Sequence, residues 1–200
     1  MAAGLSFLTA AVPAQDASHG ASGYKLCASC HGFKGEGNQL VNAPAIAGLD
    51  AWYLERQVRN FQAGVRGHAD DDQPAKTMAQ MTQGLTTDRA IADLIAYIDT
   101  LPAAAPAKTL DGNDAKGRMA YATCAACHGA DAKGNEALNA PALVGLDDWY
   151  QLAQLEKFHD GRRGAMAADT YGQQMAPMAR MLADEQAMKD VIAYIQTLKK

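Results

Sequence analysis

Two five-residue clusters carry the chemistry of this chain: Cys27-Ala28-Ser29-Cys30-His31 and Cys124-Ala125-Ala126-Cys127-His128. Two thiols two residues apart, followed at once by an imidazole, match the pattern of covalent haem attachment. The two thiols add to the two vinyl groups along one porphyrin edge, and a short helical turn brings both to that edge. The adjacent imidazole then points at the iron as proximal ligand. Cys27, Cys30, Cys124 and Cys127 are therefore expected to anchor two covalently bound haem c groups, with His31 and His128 as axial ligands.

Other uses of paired cysteines fit less well. A zinc site wants four ligands, usually a second Cys or His pair. Outside the clusters only His19, His68 and His159 remain, and they form no such pair. A disulfide framework does not explain a histidine after both pairs. A thioredoxin-like motif needs a βαβ setting that the sequence lacks.

An iron that only passes electrons has both axial positions filled, and methionine opposite histidine raises its potential relative to harder donors. Each half offers a methionine pair, Met78 and Met81, then Met175 and Met178. Methionine ordinarily fills core gaps. The expectation is one ligand and one packing residue in each pair.

The elements that must position these groups are duplicated. A shift of 97 positions lays one half on the other without a gap. Tyr24 falls on Tyr121, Pro44 on Pro141, Trp52-Tyr53 on Trp149-Tyr150, Arg66 on Arg163, and Ala96-Tyr97-Ile98 on Ala193-Tyr194-Ile195. Two copies of a long repeat mean tandem domains. The expected boundaries are 15–102 and 114–200, joined by 103–113, where Pro102 and Pro106 flank an aperiodic Ala-rich run. In each half a short helix runs into the cysteine cluster and a Gly- and Pro-containing loop follows, 32–48 and 129–145. Asp50 and Asp147 are placed to cap second helices ending near Phe61 and Phe158. Last helices are marked by Ile91, Leu94, Ile95, Ile98 and Leu101, and by Met188, Val191, Ile192, Ile195 and Leu198, at helical spacing. No period-2 strand is seen, so the fold is expected to be all-α.

Composition narrows the function classes. Hydrophobic residues make 48% and charged residues 20% of the 200, which predicts a globular chain. Aromatics are only 6%, thin for two small cores, so a covalent cofactor would help fill them. A net charge of −4 without basic runs argues against a nucleic-acid partner or an anionic membrane surface. Residues 1–14 are small and apolar and end in Val12-Pro13-Ala14, which resembles a cleavable export signal, although no Lys or Arg precedes Lys25. The stretch is shorter than the roughly 20 residues a membrane span needs, and no other stretch qualifies, so no transmembrane span is expected in the mature chain.

Taken in order, Cys-x-x-Cys-His, Asn-Ala-Pro, Ala/Val-Gly-Leu, Trp-Tyr, Phe-x-x-Gly-x-Arg, Met-Ala-x-Met and Ala-Tyr-Ile resemble class I cytochrome c domains. Their tandem duplication over about 20–101 and 117–198 resembles the dihaem cytochrome c4 family. The resemblance implies that the first Met of each pair, Met78 and Met175, is the sixth ligand, with Met81 and Met178 packing beside it. It implies that the Pro44 and Pro141 carbonyls accept a hydrogen bond from the axial histidine rings. Arg66 and Arg163 are candidates to pair with haem propionates; the competing reading is a solvated surface charge. The expected function is electron carriage in the periplasm, not catalysis. The implied donor is a quinol-oxidising complex or a dehydrogenase, and the implied acceptor a haem-copper terminal oxidase. The alternative is a dihaem subunit of a larger, flavocytochrome-like dehydrogenase.

Overall fold

The computed structural model describes residues 15–103 and 105–199, so the export signal expected over 1–14 lies outside the described residues. The described residues form α1 (Ala17–His31), α2 (Ala51–Gln62), α3 (Gln73–Thr82), α4 (Asp88–Asp99), α5 (Asp114–His128), α6 (Asp148–Asp160), α7 (Thr170–Ala179) and α8 (Glu185–Ile195), with single 3-10 turns at Gln39–Val41 and Glu136–Leu138. No strand forms among them beyond the isolated bridges Asn38–Ala43 and Asn135–Ala140. The chain is all-α, as expected.

Local chemistry explains where the helices start and stop. The Asp16 carboxylate accepts the Ser18 and His19 amides at the head of α1, and Asn113 accepts the Lys116 amide at the head of α5. Gly32 and Gly129, at φ 81° and 80°, turn the chain away immediately after His31 and His128. Each attachment histidine is thus the last residue of its helix. The Tyr24 hydroxyl donates to the Gly32 carbonyl at 2.7 Å and the Tyr121 hydroxyl to Gly129 at 2.8 Å, which fixes the direction of that turn.

The predicted apolar stripes form the cores. Ile91, Leu94, Ile95 and Ile98 of α4 are buried with Tyr24 and Ala28 of α1. Met188, Val191 and Ile195 of α8 are buried with Tyr121 of α5. The helices of each pair cross at a glycine. A Cβ at Gly20 would overlap the Asp93 carbonyl, and one at Gly117 the Asp190 carbonyl. The crossing is held beside the glycine as well, because Asp93 accepts the Asp16 amide at 2.7 Å and Asp190 the Asn113 amide at 2.8 Å.

Two features differ from the sequence expectation. The methionine segments are helices, α3 and α7, capped by Asp72 and Asp169. Their apolar positions are mostly alanine and methionine, and Pro177 lies inside α7, so no run of branched apolar residues marks them. Asp50 and Asp147 do sit at the heads of α2 and α6, but neither side chain bonds the helix it heads. The Asp147 carboxylate instead accepts the Ala45 amide of the other half at 2.8 Å. The connection between halves is pinned by Asp148, which is 1% exposed. Its carboxylate accepts the Thr109 amide and hydroxyl and the Leu110 amide at 2.5 to 2.9 Å.

Candidate functional site

Each attachment cluster occupies the last turn of α1 or α5. Cys27 and Cys124 are half-buried and pack on the cores, while Cys30 and Cys127 are exposed; all four are free thiols. Two turns of helix separate neither pair, so both thiols of a cluster stand on one short arc. The imidazoles are buried, 6% and 7% exposed. His31 Nδ1 lies 2.8 Å from the Pro44 carbonyl and His128 Nδ1 lies 2.8 Å from Pro141. A carbonyl is only an acceptor, so Nδ1 carries the proton and Nε2 keeps its lone pair. Burial pushes both rings below the ordinary histidine pKa, against the opposing pull of the proline carbonyl. The neutral form that coordinates iron is the one this setting favours.

The cleft beside His128 holds about 1330 Å³ of empty space, its open mouth included. Cys124, Cys127 and His128 line it together with Leu143, Leu146, Phe158, Leu182, Val191 and Ile195. Met175 and Met178 both reach this cleft. They differ in setting. Met175 is half-buried and packs against Phe158, Ala176 and Ala179, whereas Met178 is 39% exposed. Met78 and Met81 repeat the contrast, Met81 being 39% exposed. Met81 and Met178 are thus the more exposed member of each pair, and Met178 lies at the cleft beside Met175.

Arg66 and Arg163 are not solvated surface charges. They are 6% and 9% exposed, stacked over Phe61 and Phe158 with the guanidinium carbon 4.3 and 4.4 Å from the ring centre. Gln57 and Gln154 each accept from both arginines at 2.8 to 3.1 Å, so the network bridges the two halves. Around it, Lys157 donates to Asp72 at 2.7 Å, and Arg56 donates to the Asn139 side chain and carbonyl at 2.9 and 3.0 Å. Sequence reasoning missed Gln57, Gln154, Arg56 and Lys157. Arg56 and Lys157 did leave a signal, since their repeat partners, Ala153 and Asn60, are uncharged.

The residues present fit a covalently held haem. Two free thiols and an imidazole with Nε2 available border an apolar cleft, with a thioether also on its wall. Buried Arg163 Nε has no hydrogen-bond partner among the described residues, a donor suited to a propionate carboxylate. No cluster of three or more His, Cys, Asp or Glu side chains suited to a metal ion occurs among the described residues. The comparisons agree. The family model described as cytochrome c matches twice, over residues 17–102 and 115–199. Cytochrome c4 of Azotobacter vinelandii is 31% identical over 198 residues, covering 92% of this chain and 90% of that protein.

The chain belongs to the dihaem cytochrome c4 family.

It is an electron carrier, and it carries two covalently bound haem c groups. The solved structure of reduced cytochrome c4 from Pseudomonas stutzeri superposes on this cytochrome with a TM-score of 0.71 at 25% identity, covering 93% of this chain and all of that one. The thiosulfate dehydrogenase electron acceptor of Thiomonas intermedia is 33% identical over 150 residues, 68% of this chain. The alignment spans 64% of that relative's length. No helix among the described residues is long and apolar enough to cross a membrane.

Proposed function

We propose that this cytochrome is a periplasmic two-haem shuttle. It takes electrons from a quinol-oxidising complex or a dehydrogenase and delivers them to a haem-copper terminal oxidase. Export rests on the signal-like residues 1–14. The observation that carries the site assignment is the twinned geometry: each buried histidine is bonded through Nδ1 to a proline carbonyl at 2.8 Å beside a thiol pair. In domain 2 that arrangement opens on an apolar cleft that a methionine also lines.

When bound, each haem supplies one-electron exchange between Fe(III) and Fe(II). The chain's own residues do the rest. Cys27 and Cys30, and Cys124 and Cys127, hold the two groups covalently. His31 with Met78, and His128 with Met175, would ligate the two irons. Pro44 and Pro141 fix the tautomer and ring orientation of the histidines. Arg66 and Arg163 offer buried positive charge to the propionates. The units that carry these sets are 15–102 and 114–200, with 103–113 between them.

Paired variants test the ligands. Met175→Ala is expected to lower the potential of one centre and to let the reduced protein bind carbon monoxide there. Met178→Ala is expected to keep both centres low-spin and to cost less than about 2 kcal/mol, the lower end for a buried methionine, because the side chain is 39% exposed. Carbon monoxide binding in Met178→Ala but not in Met175→Ala would show the assignment to be reversed.

The name of the Thiomonas relative, an electron acceptor of thiosulfate dehydrogenase, supports a second reading in which this cytochrome is the redox subunit of a larger dehydrogenase. Co-elution with a catalytic subunit from the native extract would favour that reading, and elution as a lone chain the shuttle.

A further inference from the structure

The Pro44–Ala45 peptide unit is gripped from both ends. Its carbonyl accepts from His31 Nδ1 at 2.8 Å, and its amide donates to Asp147 Oδ2 at 2.8 Å. Asp147 belongs to the other haem domain, at the head of α6, and its carboxylate makes no bond to its own helix. Asp50, its counterpart in the repeat, makes no matching bond to Ala142 among the described residues. The arrangement is therefore one-sided: among the described residues, His31 alone is reached this way from across the domain boundary.

We propose that Asp147 is a positioning residue that sets the potential of the N-terminal haem through the Pro44–Ala45 peptide. A carboxylate on a peptide N–H pushes electron density toward the carbonyl of the same unit, as linked hydrogen bonds polarise one another. The Pro44 oxygen becomes a stronger acceptor, and the His31 ring gains basicity at Nε2. A more basic axial imidazole and a nearby negative charge both favour Fe(III), so both lower the potential. Asp147 is half-buried, so solvent screens its charge less than that of an exposed carboxylate. Docking of the C-terminal domain thereby becomes part of the electronic environment of the N-terminal iron. The inference rests on His31 as the axial ligand.

The experiment is a redox titration of the full-length holoprotein followed by NMR, with the N-terminal haem identified through contacts of its thioethers with Cys27 and Cys30. Asp147→Asn keeps the size of the side chain and removes its charge. It is expected to raise the midpoint of the N-terminal haem by about three- to tenfold in the equilibrium constant, about 30–60 mV for one electron. The C-terminal haem should stay in place, and the Ala45 amide resonance should move. Arg56→Gln, which cuts the Arg56–Asn139 contact elsewhere on the interface, should leave the N-terminal midpoint where it was. No shift in Asp147→Asn, an equal shift at both haems, or the same N-terminal shift in Arg56→Gln would each overturn the proposal. Loss of the low-spin His/Met spectrum in the unmutated protein would instead overturn the ligand assignment.

Discussion

At the scale of single residues, the chemistry of the cofactor sets the pattern. Two attachment pentapeptides inside a gapless repeat name the thiols and histidines, because the cofactor itself dictates their spacing. The surroundings were less legible. Arg66 and Arg163 read equally well as surface charges, since nothing local in the sequence shows that a second domain covers them. Asp148 was missed for the same reason, although its repeat partner is Ala51, a change from methyl to carboxylate in an otherwise matched segment. Burial pushes the Asp148 carboxyl up, but bonds from the Thr109 hydroxyl and amide and the Leu110 and Trp149 amides outweigh it and hold it below the ordinary value. A carboxyl depressed in the folded state stabilises it above the unfolded pKa of about 3.9 and loses that contribution as the pH falls further. Asp148→Ala is expected to cost about 2–4 kcal/mol at neutral pH through the unpaired donors it leaves. It should also make stability fall less steeply between about pH 5 and pH 2. Urea unfolding across that range checks both; equal acid slopes for variant and wild type would remove Asp148 from the account.

At the scale of elements, the attachment motif marks α1 and α5 and the apolar stripes mark α4 and α8, while nothing comparable marks α3 and α7. α4 and α8 carry branched and long apolar residues at helical spacing and pack as expected. α3 and α7 carry small residues and methionine; α7 packs on Phe158 of α6 and also lines the cleft beside His128 through Met175 and Met178. The crossing of α5 on α8 makes a sharper test of packing. Gly117 sits against the Asp190 carbonyl with no room for a methyl group. Gly117→Ala is expected to cost about 2–4 kcal/mol by forcing the helices apart. Gly23, on α1, has nothing within 4 Å of where a Cβ would lie, and its repeat partner is already Ala120. Gly23→Ala should be neutral or stabilising by up to about 1 kcal/mol. Thermal unfolding that ranks the two substitutions the other way would mean the crossing is not set by glycine.

At the scale of the whole molecule, the repeat predicted two like domains but not how they meet. The interface joins matched residues, Arg66 with Arg163 through Gln57 and Gln154, and is marked besides where the halves disagree. Arg56 faces Ala153 in the alignment and Lys157 faces Asn60, and both cations reach into the opposite domain. Such differences break the internal symmetry of the pair, and Asp147 carries the break as far as the proline loop of the N-terminal domain. The formal charges of the two halves point the same way. Residues 15–102 hold 7 Lys+Arg against 10 Asp+Glu, and residues 103–200 hold 11 against 12, so the N-terminal half is the more negative. Exposed charges are screened in salt, so the buried contacts should dominate any difference between the two centres. All of this depends on one statement, that each domain holds a haem by covalent bonds to its own cysteine pair. Mass spectrometry of the denatured mature chain tests it most directly. The account predicts a mass two haem groups above that of the polypeptide, and a mass equal to the bare polypeptide would contradict it.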